Sequence, residues 1–191
     1  YSTTTAFAAV TNDGSVSTWG SVNDGGDSSS VASKLSNVAS ISSTSSAFAA
    51  LLENGSVVTW GNFTSGADSG SVALQLNGLT KVEQVFSNDY AIAALRSDGS
   101  VVTWGSPVLG GDSSSVASDL NGTNAVTQVY SNGTSFLAVH EDSTITTWGL
   151  ASHGGDSSSI TNQVDGTKTI SSVDVSAVSY THLTLPTSVI V

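Results

Sequence analysis

The sequence predicts an all-β repeat protein: about four β-propeller-like blades of ~44 residues, each with three or more short strands and a short helical turn. Three observations carry this reading. Thr-Trp-Gly is written four times, with Trp19, Trp60, Trp104 and Trp148 standing 41, 44 and 44 residues apart. An aspartate follows each tryptophan by eight residues (Asp27, Asp68, Asp112, Asp156), and Asp13, Asn54, Asp98 or Asp142 precedes it by six. Between these markers lie short runs of β-branched and aromatic residues bounded by Gly, Asn, Asp and Ser, the pattern of strands between tight turns. A fixed period of this size denotes units whose apolar face only a neighbour can cover.

The unit from Val82 to Val126 shows the elements in order. Val82-Glu-Gln-Val85-Phe86, matched by Val126-Thr-Gln-Val129-Tyr130 and Ile170-Ser-Ser-Val173, predicts a first strand ending in a turn. Ala91-Ile92-Ala93-Ala94-Leu95 is nearly all apolar, as are Ala47–Leu51 and Ala6–Val10, which predicts a middle strand buried on both faces. Its alanines imply a close second layer, and Phe7, Phe48, Ile92 and Phe136 share one core position. Asp98-Gly99, Asn54-Gly55 and Asp13-Gly14 predict two-residue hairpin turns with positive φ. Asp142-Ser143 replaces the motif in the fourth unit, so that turn is expected to be more strained or of another type.

The strand Val101-Val102-Thr103-Trp104 follows, with Val101 and Thr103 on one face and Val102 and Trp104 on the other. Gly110-Gly111-Asp112-Ser-Ser-Ser then opens a helical turn. Asp112 is expected at its N-cap, and Val116 and Leu120 on its inner face. The short first interval is a connector deletion: Leu35 to Val38 is three residues where Leu76 to Val82 is six.

Asp98-Gly99-Ser100-Val101-Val102-Thr103-Trp104-Gly105, preceded by Ala94-Leu95-Arg96-Ser97 and followed by Gly-Gly, resembles the regulator-of-chromosome-condensation repeat family, in its bacterial β-propeller form. The resemblance covers residues 1–176 and implies blades of a seven-bladed propeller. The family includes exchange factors for a nuclear GTPase, a propeller-type inhibitor of a bacterial β-lactamase and many uncharacterised bacterial arrays. This chain has Gly-Gly-Asp-Ser-Ser-Ser in place of the family's Gly-Gln-Leu-Gly, and lacks its Gly-x-His. No functional residue of the family carries over to a matching position.

Residues 1–176 are thus expected to be four tandem repeats, partial at both ends, since Tyr1 stands 18 residues before Trp19 as Phe86 does before Trp104. The chain reads as a fragment of a longer protein. Residues 177–191 break the pattern, with Pro186 where a hairpin aspartate belongs. They resemble translated sequencing-adapter read-through at the end of a metagenomic reading frame, the alternative being a divergent cap.

Fifteen acidic residues against four Lys and Arg give a net charge of −11, which opposes nucleic-acid binding. No stretch approaches the roughly 18 apolar residues of a membrane span, so no membrane insertion is expected. With no cysteine there is no disulfide, thiolate ligand or thiol nucleophile. His140, His153 and His182 recur in no other unit and have no metal or triad spacing, so the chain is not expected to be an enzyme.

Two repeated features are candidates for function. Asp27, Asp68, Asp112 and Asp156 stand among hydroxyls and carbonyls that calcium favours, but helix capping requires the same residue at that place. Calcium apart, no cofactor is expected. Trp19, Trp60, Trp104 and Trp148 could line a sugar-binding surface, but packing between blades with the indole N–H on a neighbouring backbone is the expectation. The function expected is a non-catalytic repeat scaffold at a bacterial cell surface or outside the cell, binding an unknown protein or glycan, or serving as a spacer for neighbouring repeats. The alternatives are a regulatory propeller that inhibits an enzyme or regulates a GTPase, and a calcium-dependent carbohydrate-binding module. The regulatory reading requires a chemically distinct loop surface on one rim. The sequence instead shows loops nearly the same from blade to blade.

Overall fold

The computed structural model describes residues 1–175, in which the strands fall into one two-stranded and three three-stranded antiparallel sheets. The first blade holds β1 (Ala6–Val10) and β2 (Val16–Gly20). The second holds β3 (Val38–Ser43), β4 (Ala47–Leu52) and β5 (Val57–Gly61). The third holds β6 (Val82–Ser87), β7 (Ala91–Arg96) and β8 (Val101–Gly105). The fourth holds β9 (Val126–Ser131), β10 (Ser135–His140) and β11 (Ile145–Gly149). In the first blade a bridge from Ser2 to Phe7 sets Tyr1–Ser2 in the inner-strand place. Bridges at Ser56–Asn77, Ser100–Asn121 and Thr144–Asp165 add a short fourth segment outside β5, β8 and β11.

The all-β repeat architecture is therefore present, blade by blade, at the expected positions. Ile170–Val173, matched in sequence to a first strand, takes no strand assignment. The aberrant segment 177–191 lies outside the described residues.

Middle strands are the core. All six residues of β4 are buried, as are Ala91–Leu95 of β7. One face of each blade packs on the opposite face of the next. Ala8, Val10, Val16, Val31 and Leu35 of the first blade meet Phe48, Ala50, Val58 and Trp60 of the second. The same positions recur in the next two joints. Each fully buried Phe or Ile contributes about 1.5–3 kcal/mol, so stability resides between blades as much as within them.

Two ladders stitch the inner strands. The hydroxyls of Ser43, Ser87 and Ser131 donate to the carbonyls of Ser2, Ser43 and Ser87 at 2.7, 2.7 and 2.8 Å. In the opposite direction, the amides of Thr4, Ser45 and Asp89 donate to the carbonyls of Ser45, Asp89 and Gly133. A serine at the end of each inner strand thus links one blade to the one before.

The hairpins differ from the two-residue turns expected. In the third blade Arg96 and Ser100 close the loop (Arg96 N–H to Ser100 carbonyl, 2.9 Å), leaving Ser97, Asp98 and Gly99 outside the ladder. Only Gly99 has positive φ (75°), the three-residue turn with a left-handed last residue. The register of three paired strands decides the loop length, which an Asp-Gly dipeptide does not encode. The fourth hairpin uses the same turn, with Ser143 at φ 67° in the glycine place. A residue with a Cβ there costs about 1–2 kcal/mol.

Candidate functional site

The four repeated aspartates sit on the connectors that leave each outer strand. Each chain turn begins one residue later than expected: Ser28, Ser69, Ser113 and Ser157 occupy the N-cap, and the turns are 3-10 helices. Each aspartate instead folds back over its own loop, its Oδ1 accepting the N–H two residues on: Ser29 at 2.8 Å, Gly70, Ser114 and Ser158 at 2.9 Å. For Asp27, Asp112 and Asp156, that N–H and then the serine hydroxyl hold the carboxyl below the usual carboxylate range. Among the described residues, no three acidic or histidine side chains converge.

The serine after each aspartate has a partner that sequence reading missed. The threonine of each Thr-Trp-Gly meets it hydroxyl to hydroxyl: Thr18–Ser28 at 3.1 Å, Thr59–Ser69 at 3.0 Å, Thr103–Ser113 at 2.9 Å and Thr147–Ser157 at 3.1 Å. The two conserved-in-register motifs are one device that pins the connector onto its own outer strand. Between the third and fourth blades the connectors flank an open groove of about 630 Å³, lined by Asp112 and Asp156 among others.

The tryptophans lie at the joints. Trp60, Trp104 and Trp148 are buried, and their indole N–H groups donate to the carbonyls of Gly25, Gly66 and Gly110 of the preceding blade at 3.0, 2.9 and 3.1 Å. Those glycines press against the partner's core residue. A Cβ on Gly25 would stand 2.6 Å from Phe48, and one on Gly110 2.7 Å from Phe136. Phe48–Trp60 and Phe136–Trp148 stack at 5.2 and 5.3 Å. Trp19, at the end of the array, is 53% exposed and stacks on the equally open Phe7.

His140 is buried, its Nδ1 against the Asn124 carbonyl at 2.9 Å and its Nε2 against the Thr146 hydroxyl at 2.8 Å. Both ring nitrogens are engaged in holding the fourth blade's hairpin. His153 is exposed on a loop beside Ser152, and the structure does not bring the two histidines together.

One rim of the array differs from everything the repeats share. The first loop after each Thr-Trp-Gly is a 3-10 turn (Val22–Asp24, Phe63–Ser65, Pro107–Leu109, Ala151–His153). It lies beside the turn between inner and middle strands, as shown by Asn88 Nδ2 donating to the Leu109 carbonyl at 2.6 Å and Asn132 Nδ2 to the His153 carbonyl at 2.7 Å. Val22, Phe63 and Val108 are each about two-thirds or more exposed there, with Tyr90 on the adjoining turn. Asp24 and Asp89 stand beside them, and the Thr5 hydroxyl, foremost, holds the Asp24 carboxyl below its usual range. Lys34, Lys81, Arg96 and Lys168 all belong to connectors or hairpins at the opposite rim. Lys81 adjoins Gly55, and Arg96 pairs with Asp98 at 3.6 Å. The signal available in the sequence was the third residue after each tryptophan (Val22, Phe63, Pro107, Ala151), apolar where a solvent loop is otherwise polar.

No family model and no curated protein sequence matches the chain. Solved structures do. Human WBSCR16 matches with a TM-score of 0.53 at 19% identity, over 76% of this chain and 45% of that one. Prp20p of Saccharomyces cerevisiae, in a structure described with its binding properties to Gsp1p and histones, matches with a TM-score of 0.53 at 18% identity, over 78% and 43%. Yeast RCC1 (Prp20) with Kap60 bound matches with a TM-score of 0.53 at 16% identity, over 77% and 42%. This chain spans less than half the length of these relatives. The likeness shows the fold alone: β-propeller blades, built as successive small antiparallel sheets.

Proposed function

We propose that this chain is a non-catalytic propeller segment that binds a protein partner through its loop rim and so regulates that partner. The observation that carries the reading is the rim itself: exposed Val22, Phe63, Val108 and Tyr90 beside Asp24 and Asp89, while Leu74 and Leu79, also exposed, lie on the connector that follows the second blade. Exposed large apolar residues gathered on one face mark interaction surfaces, and aromatic anchors dominate binding energy. A net charge of −11 selects a basic partner by complementarity and speeds its encounter.

The rim also reverses the sequence-level argument for a spacer. Val-Asn-Asp, Phe-Thr-Ser, Pro-Val-Leu and Ala-Ser-His differ in every blade, whereas a passive spacer has no need of distinct loops. The aspartate–serine pair repeated in every blade, after Gly-Gly in three and Gly66-Ala67 in the second, lies on the connectors. One structurally similar propeller, yeast Prp20, is described with protein partners in two structures, which supports a protein rather than a glycan as the ligand class.

The test is cross-linking mass spectrometry on protein complexes captured by the chain, compared with a Phe63→Ser, Val108→Ser variant. The reading expects a basic protein cross-linked from Asp24 and Asp89 by a carboxyl-reactive reagent, salt-sensitive and lost in the variant. Equal capture by both proteins, or cross-links confined to the hairpin rim, would sink it.

A further inference from the structure

We propose that the groove between the first and second blades takes an extended, acidic segment of another protein, which adds as a strand to the outer edge of β5. Each outer strand ends its sheet. Beyond β5, pairing on that edge is confined to one end, where Ser56 bridges Asn77 and the Val57 N–H donates to the Leu76 carbonyl at 2.9 Å. In an antiparallel ladder alternate residues turn their main-chain groups the same way, so the Thr59 N–H and carbonyl point outward as those of Val57 do. The Thr59 hydroxyl is engaged with the Ala67 carbonyl at 2.7 Å and the Ser69 hydroxyl at 3.0 Å. Among the described residues no hydrogen bond reaches its main-chain groups. An edge of this kind is a template for a further strand.

The same groove recurs in register beside β8 and β11, floored by the outer strand and walled on one side by the connector of the blade before. Its volume is about 520 Å³ beside β5, 280 Å³ beside β8 and 630 Å³ beside β11. One position on that wall, three residues after Val31, Val72 and Val116, is Lys34, Gln75 and Asp119 in turn. Charge thus runs from positive to negative along grooves of one build. Lys34 is the one charged residue among the described lining of the first, and Lys81 packs on Gly55 at its hairpin end. In a chain of net charge −11, this positive groove selects an acidic segment by complementarity.

The opposite wall offers apolar surface. Val58 and Trp60 face the first blade, whereas Val57 packs with Val72 and Leu76 of the second blade's own connector. Side chains of an added strand alternate between the same two sides, toward Lys34 on one and toward Ala73 and Leu76 on the other. Leu74, next to that wall, is 85% exposed and Leu79 is 89% exposed. The other connectors carry Ser33, Ser118 and Asn162 in the first place, and Thr123 and Thr167 in the second. The partner segment therefore alternates acidic and aliphatic residues. The groove lies between two connectors that are both described in full, and Val175 lies against the fourth blade.

The probe is a fluorescein-labelled peptide of alternating glutamate and valine, about eight residues long to match a strand with its flanks. The 191-residue chain is titrated into it and binding is read by fluorescence anisotropy. Saturable binding is expected, weakened at least about tenfold by Lys34→Glu through like-charge repulsion. It should be lost when alternate main-chain nitrogens of the probe are methylated. Bound peptide should also slow hydrogen exchange of the Thr59 amide. Lys34 is exposed, so its replacement should leave the circular dichroism as in the parent. Phe63→Ser, on the loop rim, should leave the affinity unchanged, which keeps this test separate from that of the rim. Absence of saturable binding overturns the proposal. So does equal affinity of the Lys34→Glu variant, or of the methylated probe, which would place the peptide on side chains and not on the edge of β5.

Discussion

Trp104→Phe measures what the joint between blades is worth. The indole N–H is the donor to the Gly66 carbonyl at 2.9 Å, and Trp104 is 2% exposed. Phenylalanine keeps an aromatic ring against Ile92 but removes the donor. A buried carbonyl left without a partner costs about 1–3 kcal/mol. The lost ring atoms forfeit a further ~1–2 kcal/mol of apolar burial. The sum, about 2–5 kcal/mol, corresponds to a fall in melting temperature of roughly 5–15 °C for a chain of this size. Trp19→Phe is the matched control. It occupies the same repeat position, but half exposed and without an acceptor among the described residues, so in dilute solution its effect should stay within about 0.5 kcal/mol. Scanning calorimetry of both variants in dilute solution decides the matter. Equal shifts for the two would refute the reasoning, because the effect would then belong to the residue type and not to the joint.

Three further outcomes follow from the same geometry. Ser143→Gly relieves a left-handed residue and should raise stability by about 0.5–1 kcal/mol in a denaturant titration. Gly99→Ser should lower it by more, since its Cβ would collide with that of Ala125. Acid should weaken the fold through Asp13, where the Thr11 hydroxyl acts foremost, and Asp142, where the Asn124 side chain does. Both are held down to about 2 from 3.8. A lowered folded-state value means that this stabilisation is complete above about pH 4 and is lost as pH falls toward 2. Thermal melts from pH 7 to 2 should therefore fall in that window, less steeply in the Asp13→Asn, Asp142→Asn variant, and an identical profile would count against the assignment. Asp112→Ala should lower the melting temperature slightly and equally with calcium or with chelator; a loss seen only with calcium would establish a metal role instead.

Blade number, strand order and the alternation of faces were legible because the period repeats each signal, so that Val101–Thr103–Trp104 and Val57–Thr59–Trp60 support one another. Details that depend on a second segment were not. The hairpin loop length follows from pairing in three strands, and the aspartates' backward fold depends on where the chain turn begins. His140 is the instructive case. In the second and third blades its place is taken by Leu52 and Arg96, and that of its partner Thr146 by Val58 and Val102. Two positions that depart together within one repeat are a contact written into the sequence, visible only when repeats are compared as pairs. The rim was obscured for the opposite reason: a strongly repeated motif on the connectors drew attention away from a variable one beside it.

The glycine–tryptophan joint has a consequence for how such a chain can change its length. Each buried tryptophan finds its acceptor in the unit before it, 35 residues back for Trp60 and 38 for Trp104 and Trp148. The three-residue shortfall at Trp60 is absorbed in the connector between Leu35 and Val38, and the joint forms regardless. Every unit thus carries a donor for its predecessor and an acceptor for its successor. Duplicating or excising one whole period restores a complete set of joints wherever the cut falls, while any other length change strands an indole opposite the wrong backbone. The grammar of the joint makes the unit of inheritance the same as the unit of folding.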